Sequence, residues 1–162
     1  MKILLVSDTH GRTDRLENLL KKYRDEVQLV CHMGDYGDDL TRFESAYPGL
    51  KMAAVRGNTD FACDAPTERV LELACGIRLL LTHGHRLGVK RGLDGLFSYA
   101  RDAEADAVFF GHTHEELCFF ESGLFFVNPG SLTFGRVRES TYAIVTVTNE
   151  GEIKGELLEY GE

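Results

Sequence analysis

Nine residues suited to metal or acid–base chemistry fall in five short stretches. These are SDTHG at 7–11, MGDYG at 33–37, RGNTD at 56–60, LTHGH at 81–85 and FFGHTH at 109–114. They contribute Asp8, His10, Asp35, Asn58, Asp60, His83, His85, His112 and His114. A set of carboxylate, imidazole and amide oxygen without thiolate suits Mn²⁺, Fe, Zn²⁺ or Ni²⁺. So many donors exceed what one ion takes and suit two ions with one carboxylate bridging. An i, i+2 spacing recurs in Asp8-Thr9-His10, His83-Gly84-His85 and His112-Thr113-His114. In an extended chain, residues two apart point the same way, so each pair can face one point. Gly11, Gly34, Gly57, Gly84 and Gly111 beside them permit tight turns and close backbone approach.

Taken one at a time, several of these residues have ordinary explanations. Asp35 after Gly34 and Asn58 after Gly57 fit turn chemistry. His83 alone fits a hydrogen-bonded core histidine. What turn chemistry leaves unexplained is that every stretch follows an apolar run. Residues 2–7, 27–33, 51–56, 77–83 and 107–110 read as strands, and each site lies at the carboxyl end of one. In open α/β sheets that edge is where ligands bind.

The remaining elements must hold this rim together. Asp14 with Glu17 resembles a capping box, and Leu16, Leu19, Leu20 and Tyr23 follow the spacing of an amphipathic helix. Residues 38–46 read as a short helix ended by Pro48-Gly49. Cys75-Gly76 reads as the two-residue turn of a hairpin joining 68–74 to 77–83. Residues 90–104 read as a helix with Leu93, Leu96, Phe97 and Ala100 on one face, and strands follow at 117–121, 124–128, 141–148 and 153–159. A chain that begins βαβαβ and ends mostly β is expected to pack two sheets face to face with helices outside, as one domain over residues 1–162.

Charge and composition narrow the function. The net charge of −8 speaks against a standing partnership with nucleic acid or an anionic membrane, both of which favour a basic surface. It leaves room for a small anion held by metal. No stretch approaches the ~20 apolar residues of a membrane span. Cys31, Cys63, Cys75 and Cys118 are widely spaced and read as reduced thiols of a cytoplasmic protein. His32 reads as a structural histidine inside a strand, and Asn128 to Ser131 (NPGS) as a structural turn near the rim. Arg86, Lys90 and Arg91 read as a solvated helix start rather than a phosphate site. Apolar residues on the late strands leave a homodimer or higher oligomer open.

Together the five motifs, in this order and from Asp8 to Ser131, resemble the calcineurin-like metallophosphoesterase superfamily. The short length, the THGH and GHTH forms and the NPGS turn are similar to its small bacterial and archaeal phosphodiesterase branch, to which the retromer subunit of this fold also belongs. The resemblance implies a four-layer α/β/β/α sandwich of two mixed sheets flanked by helices. It implies one ion held by Asp8, His10, Asp35 and His114, and a second by Asp35 as bridge with Asn58, His83 and His112. Mn²⁺ is the favoured ion, with Ni²⁺, Zn²⁺, Fe and Mg²⁺ as alternatives. A bridging water activated by both ions would then attack the phosphorus of a small phosphodiester. Many members carry histidine where this chain has Thr59, which is no general acid at neutral pH. His85 is the candidate replacement or an orienting residue, and Asp60 a loop-orienting one. A protein-binding scaffold of the same fold and a phosphomonoesterase are the alternatives.

Overall fold

The computed structural model describes residues 1–136 and 139–161. Strand β1 (Lys2–Val6) lies between β2 (Leu29–His32), parallel to it, and the antiparallel β9 (Thr141–Val147). With β3 (Lys51–Ala54) and β10 (Ile153–Glu159) at the edges, the first sheet has the order β10-β9-β1-β2-β3. The second has the order β4-β5-β6-β8-β7, built from Glu68–Glu72, Arg78–Thr82, Ala107–Phe109, Leu124–Pro129 and Glu116–Glu121 respectively. Both sheets are mixed, as β5, β6 and β8 run parallel while β4 and β7 pair antiparallel.

The layers follow from side-chain alternation. Ile3 and Leu5 of β1 point to a core shared with Leu79, Leu81, Phe109 and Val127 of the second sheet. Leu4 and Val6 point the other way, against Leu16, Leu19 and Leu20 of helix α1 (Thr13–Tyr23). On the far side, Leu80, Val108 and Phe126 pack on Leu96 and Ala100 of helix α2 (Asp94–Asp102). A strand buried on both faces reads as a continuous apolar run, as KILLV and RLLLT do. The result is the four-layer α/β/β/α sandwich. None of the described helices is long and apolar enough to cross a membrane, and all four cysteines are free thiols.

Local expectations fare less well. Residues 38–46 form two 3₁₀ turns, at Gly37–Asp39 and Thr41–Phe43, in place of a continuous helix. Asp14 does not cap α1. The helix starts at Thr13 after Arg12 with no side-chain cap, Asp14 sits in the first turn near Arg12, and Glu17 pairs with Lys21 at 2.7 Å. An acidic residue in a first turn is favoured by the helix dipole whether or not it caps, so the sequence pattern did not discriminate. The 90–104 segment is helical only over Asp94–Asp102, preceded by a 3₁₀ turn at His85–Leu87. The hairpin loop has three residues, not two. Leu73 still bonds Ile77, and Gly76 takes φ +84°, which fits a type I turn closed by a bulge. Among the late strands, β7 leaves Leu117 and Phe120 exposed while β9 is almost wholly buried.

Candidate metal centre

All five stretches emerge from the carboxyl ends of β1, β2, β3, β5 and β6, so loops from both sheets meet on one rim. They converge by a different route from the extended pairs expected. Asp8, His10, Asp35, His112 and His114 all have positive φ, between +47° and +69°. Non-glycine residues adopt this left-handed region at a cost, and such residues gather at functional sites where surrounding structure holds them there. The folding-back turns the side chains inward. Close approach does the rest. A Cβ on Gly57 would collide with the Asp35 carboxylate, and one on Gly111 with the Ser7 hydroxyl.

One ligand atom from each of Asp8, His10, Asp35 and His114 lies within 4.8 Å of the others. Asp8 is fully buried and Asp35 nearly so. Oδ2 of Asp8 accepts hydrogen bonds from the Ser7 hydroxyl and from the His112 N–H at 3.2 Å. Its Oδ1 has no hydrogen-bond partner and lies 3.0 Å from Nε2 of His114. The other ring nitrogen of His114 is 2.8 Å from the Phe134 carbonyl, which only accepts, so Nδ1 carries the proton. Nε2 therefore presents a lone pair to a carboxylate oxygen, and a proton or a cation must lie between them. Burial works to raise the Asp8 pKa, but His114 and His83 outweigh it and hold that carboxyl below its ordinary value. In return the Asp8 carboxylate raises the pKa of His114.

His83 repeats the arrangement. Nδ1 donates to the Met33 carbonyl at 2.6 Å, leaving Nε2 facing Asn58 Oδ1 at 3.2 Å and Asp35 Oδ1 at 3.5 Å. Fixing the tautomer through the far nitrogen is how a protein orients an imidazole toward a metal. The His112 ring lies 5.0 Å from that of His83, and burial lowers its pKa to about 4, so it is neutral at pH 7. His85 stands 5.3 Å from His83 and 6.0 Å from His112, with Nδ1 buried and unpartnered. Burial, then the His83 charge, lowers its pKa as well.

Asp60 touches no histidine among the described hydrogen bonds. Its carboxylate accepts the N–H groups of Tyr36, Gly37 (3.4 Å) and Gly57 (2.7 Å), tying the Asp35 loop to the Asn58 loop. Thr59 donates its N–H to Asp35 Oδ1 at 3.0 Å, and its hydroxyl is unpartnered. His32 lies away from the donor cluster, accepting from Gly34 N–H at Nδ1 and pairing with the Thr9 hydroxyl at Nε2. The NPGS turn is a brace. Asn128 Nδ2 donates to the Gly111 carbonyl and Thr113 hydroxyl, and the Ser131 hydroxyl donates to the Asp8 carbonyl at 3.0 Å. Arg86 and Lys90 are exposed, Arg86 bonding Thr67, while the Lys90 charge is felt at His112 and His114. No sequence pattern points to the Met33 and Phe134 carbonyls, because any residue type supplies one.

The family model of the calcineurin-like phosphoesterase superfamily domain matches residues 1–150. The chain belongs to that superfamily. A probable metallophosphoesterase of Bacillus subtilis, YsnB, is 37% identical over 152 residues, covering 93% of this chain and 86% of its own. The phosphodiesterase YfcE of Escherichia coli is 30% identical over 156 residues, covering 82% of this chain and 80% of its own. The structure of wild-type Vps29 from Entamoeba histolytica complexed with Zn²⁺ superposes with a TM-score of 0.75 at 19% identity, covering 99% of this chain and 100% of that one. At that identity the likeness is one of fold alone. Superfamily membership therefore covers both relatives named for phosphoester cleavage and a fold shared with Vps29, and the donor set on the rim bears on the choice.

Proposed function

We propose that the chain is a metal-dependent phosphodiesterase, a cytoplasmic single-domain enzyme that hydrolyses a small phosphodiester. One observation carries the reading. A fully buried carboxylate oxygen of Asp8 lies 3.0 Å from Nε2 of His114, a contact that needs a proton or a cation between the two, with His10 and Asp35 converging on the same point. Burying such groups without a cation is costly. The donor set fits hard-to-borderline divalent ions, with Mn²⁺ first among them.

Asp8, His10, Asp35 and His114 are assigned to one ion, and Asp35, Asn58, His83 and His112 to the second. Ions so held would lower the pKa of a shared water and offset charge on the phosphoryl oxygens. Ser7 and the His112 N–H hold one oxygen of Asp8 so that the other points inward. Met33 and Phe134 set the tautomers of His83 and His114. Asp60 keeps the two loops in register. Thr59 offers a hydroxyl that is a hydrogen-bond donor and no proton source at neutral pH. His85, with a lowered pKa, is largely neutral at pH 7. That disfavours a general acid and favours a role in orienting substrate. With no strong acid in place, diesters with good leaving groups are the preferred substrates.

The test is hydrolysis of bis(p-nitrophenyl) phosphate and of p-nitrophenyl phosphate after chelation, with Mn²⁺, Ni²⁺, Mg²⁺ or Zn²⁺ added back. Metal-restored cleavage, faster on the diester, is the expected result. Faster monoester cleavage would make it a phosphomonoesterase. Two bound ions per chain with no cleavage of either would favour the scaffold reading, which the fold shared with Vps29 allows.

A further inference from the structure

We propose that Tyr36, Phe61 and Phe134 form an aromatic collar that selects phosphoesters carrying a flat aromatic ring. The proposal rests on the reading of the rim as a phosphoester site. Exposed apolar residues scattered singly are normal on any protein. Tyr36 and Phe134 are not scattered, and Phe61 is carried on an adjoining loop. Tyr36 is 45% exposed, Phe134 63% and Phe61 95%. The Tyr36 and Phe134 rings lie 5.9 Å and 6.1 Å from the ring of His10, which contributes one atom to the donor cluster. Phe61 follows Asp60, whose carboxylate binds the Tyr36 N–H, and so sits on the adjoining loop.

Each ring is carried by backbone that also builds the site. Tyr36 follows Asp35 and is held in the left-handed region at φ +77°. The Phe134 carbonyl fixes the His114 tautomer, and its N–H donates to the Ser131 hydroxyl, which itself donates to the Asp8 carbonyl. The Phe61 N–H donates to the Thr59 carbonyl, and Thr59 N–H to Asp35. Rings mounted on backbone that is already ordered lose little further freedom on binding. A phosphate centred among the donors would leave its ester arm beside the Tyr36 and Phe134 rings, with the Phe61 loop adjoining. The natural complement of an exposed aromatic face is another π-face, which stacks without regard to the identity of the ring. The collar adds no positive charge and the chain carries a net −8. Its ligand is therefore a small ester with one ring, such as an aryl or nucleoside phosphate, and not a polyanion.

The test is calorimetric titration of the Mn²⁺-loaded protein with thymidine 5′-phosphate, phenyl phosphate and methyl phosphate. All three share the phosphomonoester group and differ in the group it carries: a nucleoside, an aryl ring or a methyl. The ring-bearing ligands are expected to bind roughly tenfold tighter than methyl phosphate. Gain by both assigns the selection to any flat ring, and gain by thymidine phosphate alone assigns it to a nucleoside. Phe61→Ala and Phe134→Ala are each expected to bring the affinity ratio toward one. The 95% exposure of Phe61 makes its variant safe for folding. Equal affinities for all three ligands would overturn the collar while leaving the phosphoester site standing. Variants that weaken all three ligands alike would make the aromatics structural and also overturn it. Binding of none of the three would overturn the collar, and the phosphoester reading would fall with it only if the activated diester were also left uncleaved.

Discussion

The two halves of the rim use the same side chains to opposite effect. Around Asp8, His10, Asp35 and His114, two buried carboxylates face imidazoles, and the donor atoms already lie within 4.8 Å of one another. Around Asn58, His83 and His112, the side-chain donors are an amide and two imidazoles, and the carboxylate nearest the His83 ring is Asp35, shared with the first half. The pKa values register the difference. Beside Asp8 the pKa of His114 rises, whereas burial lowers that of His112 to about 4. An imidazole's charge is thus set by its neighbours and not by its residue type. The first half carries negative charge that calls for a cation. The second half supplies lone pairs but little charge, and should fill after the first and empty before it.

Breaking the shared carboxylate should erase the difference. Asp35→Asn is expected to reduce bound metal from the proposed two ions per chain to at most one. On the proposed two-ion reading, hydrolysis of the activated diester should fall by at least ~10³-fold, since Asp35 would serve both ions. Elemental analysis beside the rate measures both, and near-normal activity with two ions bound would sink the assignment. His112→Ala sharpens the contrast. It should leave the first ion in place, remove the second and lower the rate by ~10²-fold or more. Loss of the first ion instead would reverse the proposed order of filling.

Asp60 tests how far the halves depend on one another. Its carboxylate spans Tyr36, Gly37 and Gly57, so it joins the loop of Asp35 to that of Asn58 without facing the donor cluster. Residues that orient ligands in this way typically cost 10–100-fold when removed. Asp60→Ala should therefore lower metal affinity and rate by about that factor, with the second ion affected more than the first. Equal weakening of the two sites, read by competition with a chelator, would argue against a loop-specific role.

Much of this architecture could be read from the sequence because the strands obey a simple physical rule. β1, β2 and β5 are covered on both faces, so they appear as short apolar runs, and the polar residues placed just after them mark the rim. The manner of convergence could not be read. Nothing in Asp8-Thr9-His10 or His112-Thr113-His114 distinguishes extended backbone from left-handed backbone, because the hydrogen bonds that hold it come from distant residues such as Gly34 and Ser131. The 38–46 segment failed for a related reason. Its apolar residues Leu40 and Phe43 fit a helix, but Asp39 and Gly37 are tied instead to Thr9 and Asp60 across the rim. Carbonyl partners such as Met33 and Phe134 leave no trace in residue type.

His32 sharpens the comparison from outside both halves, as a histidine whose neutral form is built in without an ion. It is fully buried, and desolvation lowers its pKa from 6.5 to about 4 against the pull of Asp39 and Asp8. Gly34 N–H donates to Nδ1, so the proton sits on Nε2, where it reaches the Thr9 hydroxyl at 3.0 Å, which in turn donates to Asp39 at 2.8 Å. The sign of the pH effect follows. Between about pH 6.5 and 4 the unfolded chain takes up a proton that the folded chain refuses, so stability falls as pH falls through that window and is unaffected by this group above it. The full loss is about 3 kcal/mol. Urea unfolding of chelated protein across pH 7 to 4 should show it. His32→Asn keeps an acceptor near Gly34 N–H but does not titrate, so it should be less stable at pH 7 and change less steeply below pH 6.5. If wild type and variant lose stability in parallel, the acid sensitivity belongs to the rim histidines, and the distinction between a histidine kept neutral by burial and one kept ready for metal would fail.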